Sequence, residues 1–151
     1  MNDLSRAASA YAQASKAVAP VRAVVLLYDG MIRAVASARK AIEEDRLEDR
    51  YLQTRKASEI VLGLQTSLDF ENGAEVANTL DAFYNTIFVR LQRINTTNSV
   101  EICEDVLAAL RNVRESWAQV AEICEGERRK AKVEAQPQDA LVNPGSLSVS
   151  A

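Results

Sequence analysis

The sequence contains no histidine among its 151 residues, and this absence excludes several kinds of catalytic site. Helical bundles that act as enzymes usually bind metals through carboxylates and Glu-x-x-His pairs, and a cysteine nucleophile requires a histidine base. The few glycines are isolated at positions 30, 63, 73, 126 and 145, so no glycine-rich phosphate loop is present. We therefore expect a protein that is not an enzyme, requires no cofactor and no metal, and acts by binding.

The sequence also lacks an excess of positive charge and any long apolar run. Lys and Arg number 18 against 21 Asp and Glu, a net charge of -3, so nucleic acid is not an expected partner. The longest apolar run covers residues 23–28, far short of the roughly 20 residues that span a bilayer, and no basic segment leads into an apolar region at the start of the sequence. We expect a cytoplasmic protein without membrane insertion.

Cysteine is almost absent as well. Cys103 and Cys124 lie in one predicted helix, where their separation along the axis is roughly 30 Å. This distance excludes a disulfide between them, and we interpret both as small apolar residues in a reducing compartment.

The only prolines are at positions 20, 137 and 144, which leaves residues 21–136 free of this helix breaker. We predict a domain at 20–125, preceded by a mobile N-terminal arm at 1–19 and followed by a disordered C-terminal tail at 126–151. Four segments inside the domain have the apolar spacing of helices. Their predicted starts are Pro20, Asp45 with Glu48 as its capping-box partner, Gly73, and Asn98 with Glu101 as its partner.

Each segment carries one stripe of apolar residues at steps of three and four. The stripes are Val24, Leu27, Met31, Val35, Ala38 and Ile42; Ala57, Val61, Leu64 and Leu68; Val76, Leu80, Phe83, Ile87, Leu91 and Ile94; and Cys103, Val106, Leu110, Val113, Trp117, Val120 and Cys124. The connections near 45, 69–73 and 95–98 are short, so consecutive helices turn back on one another. The predicted fold class is all-α, an antiparallel up-and-down four-helix bundle.

Two of the helices carry more apolar surface than one core stripe requires. Val25 and Leu26 adjoin the stripe of the first helix, and Ala77, Tyr84 and Phe88 form a second line on the third. Two interpretations fit this pattern: a wide face toward the core, or an apolar groove outside the bundle that receives a partner helix.

Several stretches together carry a family resemblance. They are AYAQ at 10–13, LLYDGMIRA at 26–34, KASEIVLGLQTSLDFENGAEVANTL at 56–80, FYNTIFVRLQRIN at 83–95 and LRNVRESWAQV at 110–120. In order and spacing they resemble the flagellar export chaperone FliS family, which has an N-terminal Tyr, a Tyr-Asp-Gly signature in helix one, a Leu-Asp-x-Glu-x-Gly turn into helix three and a Trp late in helix four.

The resemblance implies a chaperone that holds flagellin before export. Proteins of this kind wrap the disordered C-terminal segment of flagellin around the bundle, prevent premature polymerisation and assist secretion. The arm around Tyr11 resembles a segment that covers an apolar groove until the client arrives. The client-binding residues we expect are Tyr11, Val24, Leu27, Tyr28, Leu64, Leu68, Leu80 and Tyr84.

The Tyr-Asp-Gly signature places Gly30 inside a helix, at a cost of about 0.5–1 kcal/mol relative to alanine. We hypothesise that the missing side chain lets another helix, or the client, approach helix one closely. We interpret Asp29 as a solvated helix residue, Tyr28 and Tyr84 as half-buried packing residues with solvated hydroxyls, and Trp117 as core.

A second hypothesis is a regulatory adaptor: a bundle that binds an anti-sigma factor or another flagellar assembly protein without chaperoning flagellin. The flagellar export gate is a further candidate partner. For the oligomeric state we expect a monomer or a weak dimer.

Overall fold

A computed structural model describes residues 21–136, which form four helices and, over this range, no strand. The helices are α1 (Val21–Glu43), α2 (Leu47–Thr66), α3 (Ala74–Thr97) and α4 (Val100–Ala135). The predicted all-α bundle is therefore confirmed. The predicted arm at 1–19, with Tyr11, and the tail beyond residue 136 lie outside the described residues.

The turn between α1 and α2 differs from the prediction. Asp45 has a left-handed backbone (φ 57°), and the amide of Arg46 donates to the carbonyl of Ala41 at 2.8 Å, which closes the end of α1 in the manner of a Schellman motif. Helix α2 then begins at Leu47, and no side chain caps it. The capping box of Asp45 and Glu48 was a wrong prediction, because Asp45 ends one helix instead of starting the next.

The turn between α3 and α4 shifts the predicted start by one residue. Asn98 is left-handed (φ 50°) and its amide donates to the carbonyl of Ile94, a conformation that asparagine tolerates better than most residues. Ser99 is the N-cap of α4, since its hydroxyl accepts from the amide of Ile102 at 3.2 Å. The same hydroxyl contacts the Glu101 carboxylate at 3.1 Å, so Glu101 does belong to the cap.

Helix α4 is longer than the sequence indicated. It continues through Gly126 to Ala135, ten residues past the predicted end of the domain at residue 125. One glycine costs about 1 kcal/mol in a helix interior, and the residues after it are mostly Glu, Arg, Lys and Ala, which favour helix. The helix ends where Gln136 is extended (ψ 116°), immediately before Pro137, as expected for a residue that precedes proline.

Polar contacts show the directions of the packed helices. The α1–α4 seam has ion pairs between Arg22 and Glu125 (3.0 Å), Asp29 and Arg114 (2.8 Å), and Arg39 and Glu104 (3.2 Å). The α2–α3 seam has hydrogen bonds between Thr54 and Asn95 (2.8 Å), Ser58 and Gln92 (3.3 Å), and Gln65 and both Asp81 (2.7 Å) and Asn85 (2.9 Å). In each seam the numbers rise along one helix and fall along the other, so both pairs are antiparallel.

The core lies along the predicted stripes. On α4, every predicted stripe residue from Cys103 to Val120 is buried, including Trp117 at 2% exposure, while Cys124 is half-buried. Leu27 departs from its stripe with 42% exposure, although Ala34 and Ala38 on the same side of the helix are buried. Among the helices described, none has a segment long and apolar enough to cross a membrane.

Candidate functional site

A buried polar cluster occupies the centre of the bundle, where α1, α3 and α4 meet. The hydroxyls of Tyr28 and Tyr84 lie 3.0 Å apart and share a hydrogen bond, and both residues are at most 2% exposed. Burial, and next the neighbouring Tyr84, raise the pKa of Tyr28 well above its ordinary value. The indole nitrogen of Trp117 is also buried, and its interaction with the Tyr28 hydroxyl lowers the pKa of Tyr28 against the larger effects of burial and Tyr84. The half-buried packing with solvated hydroxyls expected for the two tyrosines is corrected: both residues are buried, and one hydroxyl donates to the other.

The predicted client-binding residues do not form one exposed surface. Val24, Tyr28, Leu64, Leu80 and Tyr84 are all buried in the core, with exposures of 0–7%. Leu68 is partly buried against that core, and Leu27 is the most exposed of the described set. Periodicity identified the apolar faces of these helices but did not separate core positions from surface positions. A role for these residues in client binding stays a prediction.

Two exposed apolar side chains were missed by the sequence reasoning. Leu62 is 44% exposed and Val89 is 56% exposed. Leu62 and Val89 lie between the same two hydrogen bonds of the α2–α3 seam, Ser58 with Gln92 and Gln65 with Asn85. The signal available in the sequence was their position off the apolar stripes, where a leucine or valine has no core to enter.

The extra apolar residues noted on two helices are divided between core and surface. On α1, Val25 is 1% exposed whereas Leu26 is exposed. On α3, Ala77 and Tyr84 are buried and Phe88 is partly buried against the core. The second line of α3 therefore widens its core face, and on α1 only Leu26 adds outer apolar surface.

Gly30 lies where α2 approaches α1. A methyl group at Gly30 would lie 3.3 Å from Cδ1 of Ile60, closer than ordinary van der Waals contact. The approaching group is the end of a side chain, and it belongs to α2. This contact gives the glycine a packing reason within the bundle.

Asp29 is not the solvated residue that the sequence suggested. Its two carboxylate oxygens accept from Nε and Nη2 of Arg114 at 2.8 and 3.3 Å, and this contact raises the pKa of the arginine. Both side chains are about one-third exposed or less. The ion pair ties the signature segment of α1 to the middle of α4.

The thiols and carboxylates offer little reactive chemistry. Both cysteines are free, and burial raises the pKa of the Cys103 thiol to about 11, which keeps it protonated at neutral pH. Within residues 21–136, no group of three Cys, Asp or Glu side chains is arranged to hold a metal ion.

Comparison with known proteins identifies the family to which this bundle belongs. Residues 4–123 match the protein family described as flagellar protein FliS. The chain belongs to the FliS family.

Three relatives illustrate the similarity. The chain is 36% identical over 98 residues to flagellar secretion chaperone FliSB of Pseudomonas aeruginosa, covering 65% of this chain and 78% of that protein. It is 31% identical over 118 residues to flagellar secretion chaperone FliS of Salmonella typhimurium, covering 74% and 87%, and 29% identical over 113 residues to that of Campylobacter jejuni, covering 74% and 88%. The FliS match includes the two tyrosines, Gly30 and all the seam residues named above except Glu125, and it ends before Gly126.

Proposed function

We propose that this FliS-family protein is a cytoplasmic flagellar secretion chaperone that binds the disordered C-terminal segment of flagellin. The observation that carries the proposal is the family match over residues 4–123, together with relatives named flagellar secretion chaperones. The protein acts by binding: an apolar client segment folds against the bundle, and burial of its apolar face offsets the entropy lost on ordering. The bound segment is then withheld from polymerisation until export.

The client lies along the α2–α3 seam. Exposed Leu62 and Val89 flank this seam, and its hydrogen bonds come mainly from neutral hydroxyl and amide groups. Charged side chains cover the α1–α4 seam instead, and an apolar client would have to desolvate them. An amphipathic helix that binds in a groove presents apolar residues one turn apart. These residues can be buried more easily on the α2–α3 surface than against the ion pairs of the α1–α4 seam.

The N-terminal arm has a part in the same proposal. Residues 1–19, with Tyr11, cover the apolar groove when no client is bound and leave it when flagellin arrives. Such a segment protects the groove from aggregation and lowers the apparent affinity for the client by the fraction of time it occupies the groove.

Titration calorimetry with the C-terminal segment of flagellin tests the proposal. We expect one-to-one binding with a clearly negative heat-capacity change, the mark of apolar burial, and suppressed polymerisation of full-length flagellin in a parallel assay. Absence of binding at high micromolar concentration would contradict the flagellin assignment and favour an adaptor for another flagellar assembly protein.

A pair of variants tests the position of the client. Leu62→Ser should weaken binding about tenfold, since a buried leucine at a helix interface contributes roughly 1.5–3 kcal/mol. Leu52→Ser is the matched control, because Leu52 is on the same helix and is 48% exposed against 44% for Leu62. Equal effects of the two substitutions would place the client elsewhere on the bundle.

A further inference from the structure

The last turns of α4 extend past the bundle. Helix α4 has 36 residues and α1 has 23, and the first turn of α1 already pairs with α4 through Arg22 and Glu125. Residues 127–135 are all exposed, over a length of about 12–14 Å. This extension also lies beyond residues 4–123, the range that matches the FliS family. Its surface is therefore not explained by the fold that the family shares.

Charge is separated across the extension. Arg128, Arg129 and Lys132 line one shallow surface depression together with Glu125, as expected for three positions that each lie within about 60° of Glu125 around the helix. We call Arg128, Arg129 and Lys132 the basic stripe. The acidic residues Glu127 and Glu134 fall on the opposite side by the same geometry.

Within the described part of the chain, the one carboxylate beside the basic stripe is that of Glu125, which Arg128 and Arg129 attract through space. The carboxylate of Glu125 is occupied by Arg22, which donates to both of its oxygens at 3.0 Å. Arg129 contacts only the backbone carbonyl of Glu125, at 3.4 Å. No ion pair found within residues 21–136 includes a member of the stripe. Stabilisation of the helix dipole accounts for cations near a C-terminus, but it does not account for their placement on one face.

We propose that the basic stripe is a docking surface for an acidic segment of a partner protein, with carboxylates about one helical turn apart. A membrane surface is disfavoured, because polybasic membrane sites usually have about 4–8 cations and the whole chain has a net charge of -3. A second copy of the chain is a poor occupant, since acids at the opposite end of the bundle, such as Glu43, Glu104 and Asp49, are already paired with arginines. The stripe is independent of the α2–α3 surface, so a client-loaded chaperone keeps it available.

Fluorescence anisotropy with the full-length protein tests this inference. The probe is a labelled alanine-based peptide with pairs of glutamates four residues apart, and the reference is the same peptide with glutamine in their place. We expect the glutamate peptide to bind, its affinity to fall steeply with added salt, and the glutamine peptide to bind at least about tenfold more weakly.

Lys130 gives a matched control for Lys132. Both substitutions, Lys132→Glu and Lys130→Glu, change the net charge equally on the same exposed helix, but only Lys132 belongs to the basic stripe. Lys132→Glu should weaken the glutamate peptide about tenfold and Lys130→Glu less than about twofold, with equal helix content by circular dichroism. Equal losses in both variants, no binding at millimolar peptide, or tighter binding to phosphatidylserine vesicles than to the peptide would each overturn the proposal.

Discussion

The α1–α4 and α2–α3 seams each join two antiparallel helices, but they do so through different polar groups. The α1–α4 seam is held by ion pairs whose side chains are 27–53% exposed. The α2–α3 seam is held by hydroxyl and amide hydrogen bonds, and two of the groups, Thr54 at 0% and Ser58 at 7%, are buried. Exposed ion pairs contribute about 0–1 kcal/mol each, whereas a buried polar group that loses its partner costs about 1–3 kcal/mol. The seam with less charge is therefore the one more sensitive to the loss of a single contact.

The largest effect is expected from a substitution between α1 and α2, the interface that joins one helix of each seam. Gly30→Leu introduces a side chain where even a methyl group would lie 3.3 Å from Cδ1 of Ile60, so the Ile60 side chain must shift and the larger leucine must be accommodated between α1 and α2. Overpacking of this kind costs about 1–3 kcal/mol, and urea unfolding should give a value in the upper part of that range. Gly63→Leu is the control, since a methyl group at Gly63 meets nothing within 4 Å. A Gly30 variant as stable as the Gly63 variant would contradict the packing reason for the glycine.

Thr54→Ala breaks the α2–α3 seam alone. The Thr54 hydroxyl lies 2.8 Å from Oδ1 of Asn95 and 3.0 Å from the carbonyl of Tyr51 in its own helix, and its removal takes the contact with α2 away from a partly buried amide. The expected loss is about 1–2 kcal/mol in the free energy of unfolding. Thr66→Ala is the control, because the exposed Thr66 hydroxyl contacts only the carbonyl of Gly63 in its own helix and its loss should be close to neutral.

Asp29→Asn breaks the central ion pair of the α1–α4 seam. It retains the shape of the side chain and removes the charge that Arg114 contacts at 2.8 Å. We expect a loss of about 1 kcal/mol or less at low salt, smaller still at high salt, whereas the effect of Thr54→Ala should not depend on salt. If Asp29→Asn proved more costly than Thr54→Ala in urea unfolding at both salt concentrations, the ranking of the two seams would be reversed.

Buried apolar positions could be predicted from the sequence, whereas polar contacts between helices could not. The apolar stripe of α4 alternates steps of three and four without interruption, and its positions from Cys103 to Val120 are buried as predicted. Seam partners could not be predicted, because Asp29 and Arg114 are 85 positions apart and many other cations were equally acceptable by composition. Polar contacts across helices depend on the rotation of each helix, which apolar spacing determines only to within one or two residues.

The candidate site was harder to predict for a related physical reason. Tyr28 and Tyr84 have polar ends, which suggested solvated hydroxyls at a surface, yet each satisfies the other in the core. Leu62 and Val89, outside the stripes, were not selected although both are exposed apolar residues. Helix ends showed the same ambiguity, since Asp45 is a residue that favours both N-caps and left-handed C-terminal positions.

The smallest effect is expected at the exposed end of the α1–α4 seam, where Arg22 meets Glu125. The hydrogen bond from Arg22, more than any other contact, lowers the pKa of Glu125. A carboxyl group with a lowered pKa in the folded state stabilises the fold above its unfolded pKa, and this stabilisation is lost as the pH falls through the lowered value. Glu125→Gln should therefore shift the urea midpoint slightly at neutral pH and not at all in strong acid, where wild-type Glu125 is itself uncharged. An equal shift at both pH values would mean that the glutamine alters helix packing. The contribution of the Arg22–Glu125 contact would then be independent of charge, like that of the α2–α3 contacts.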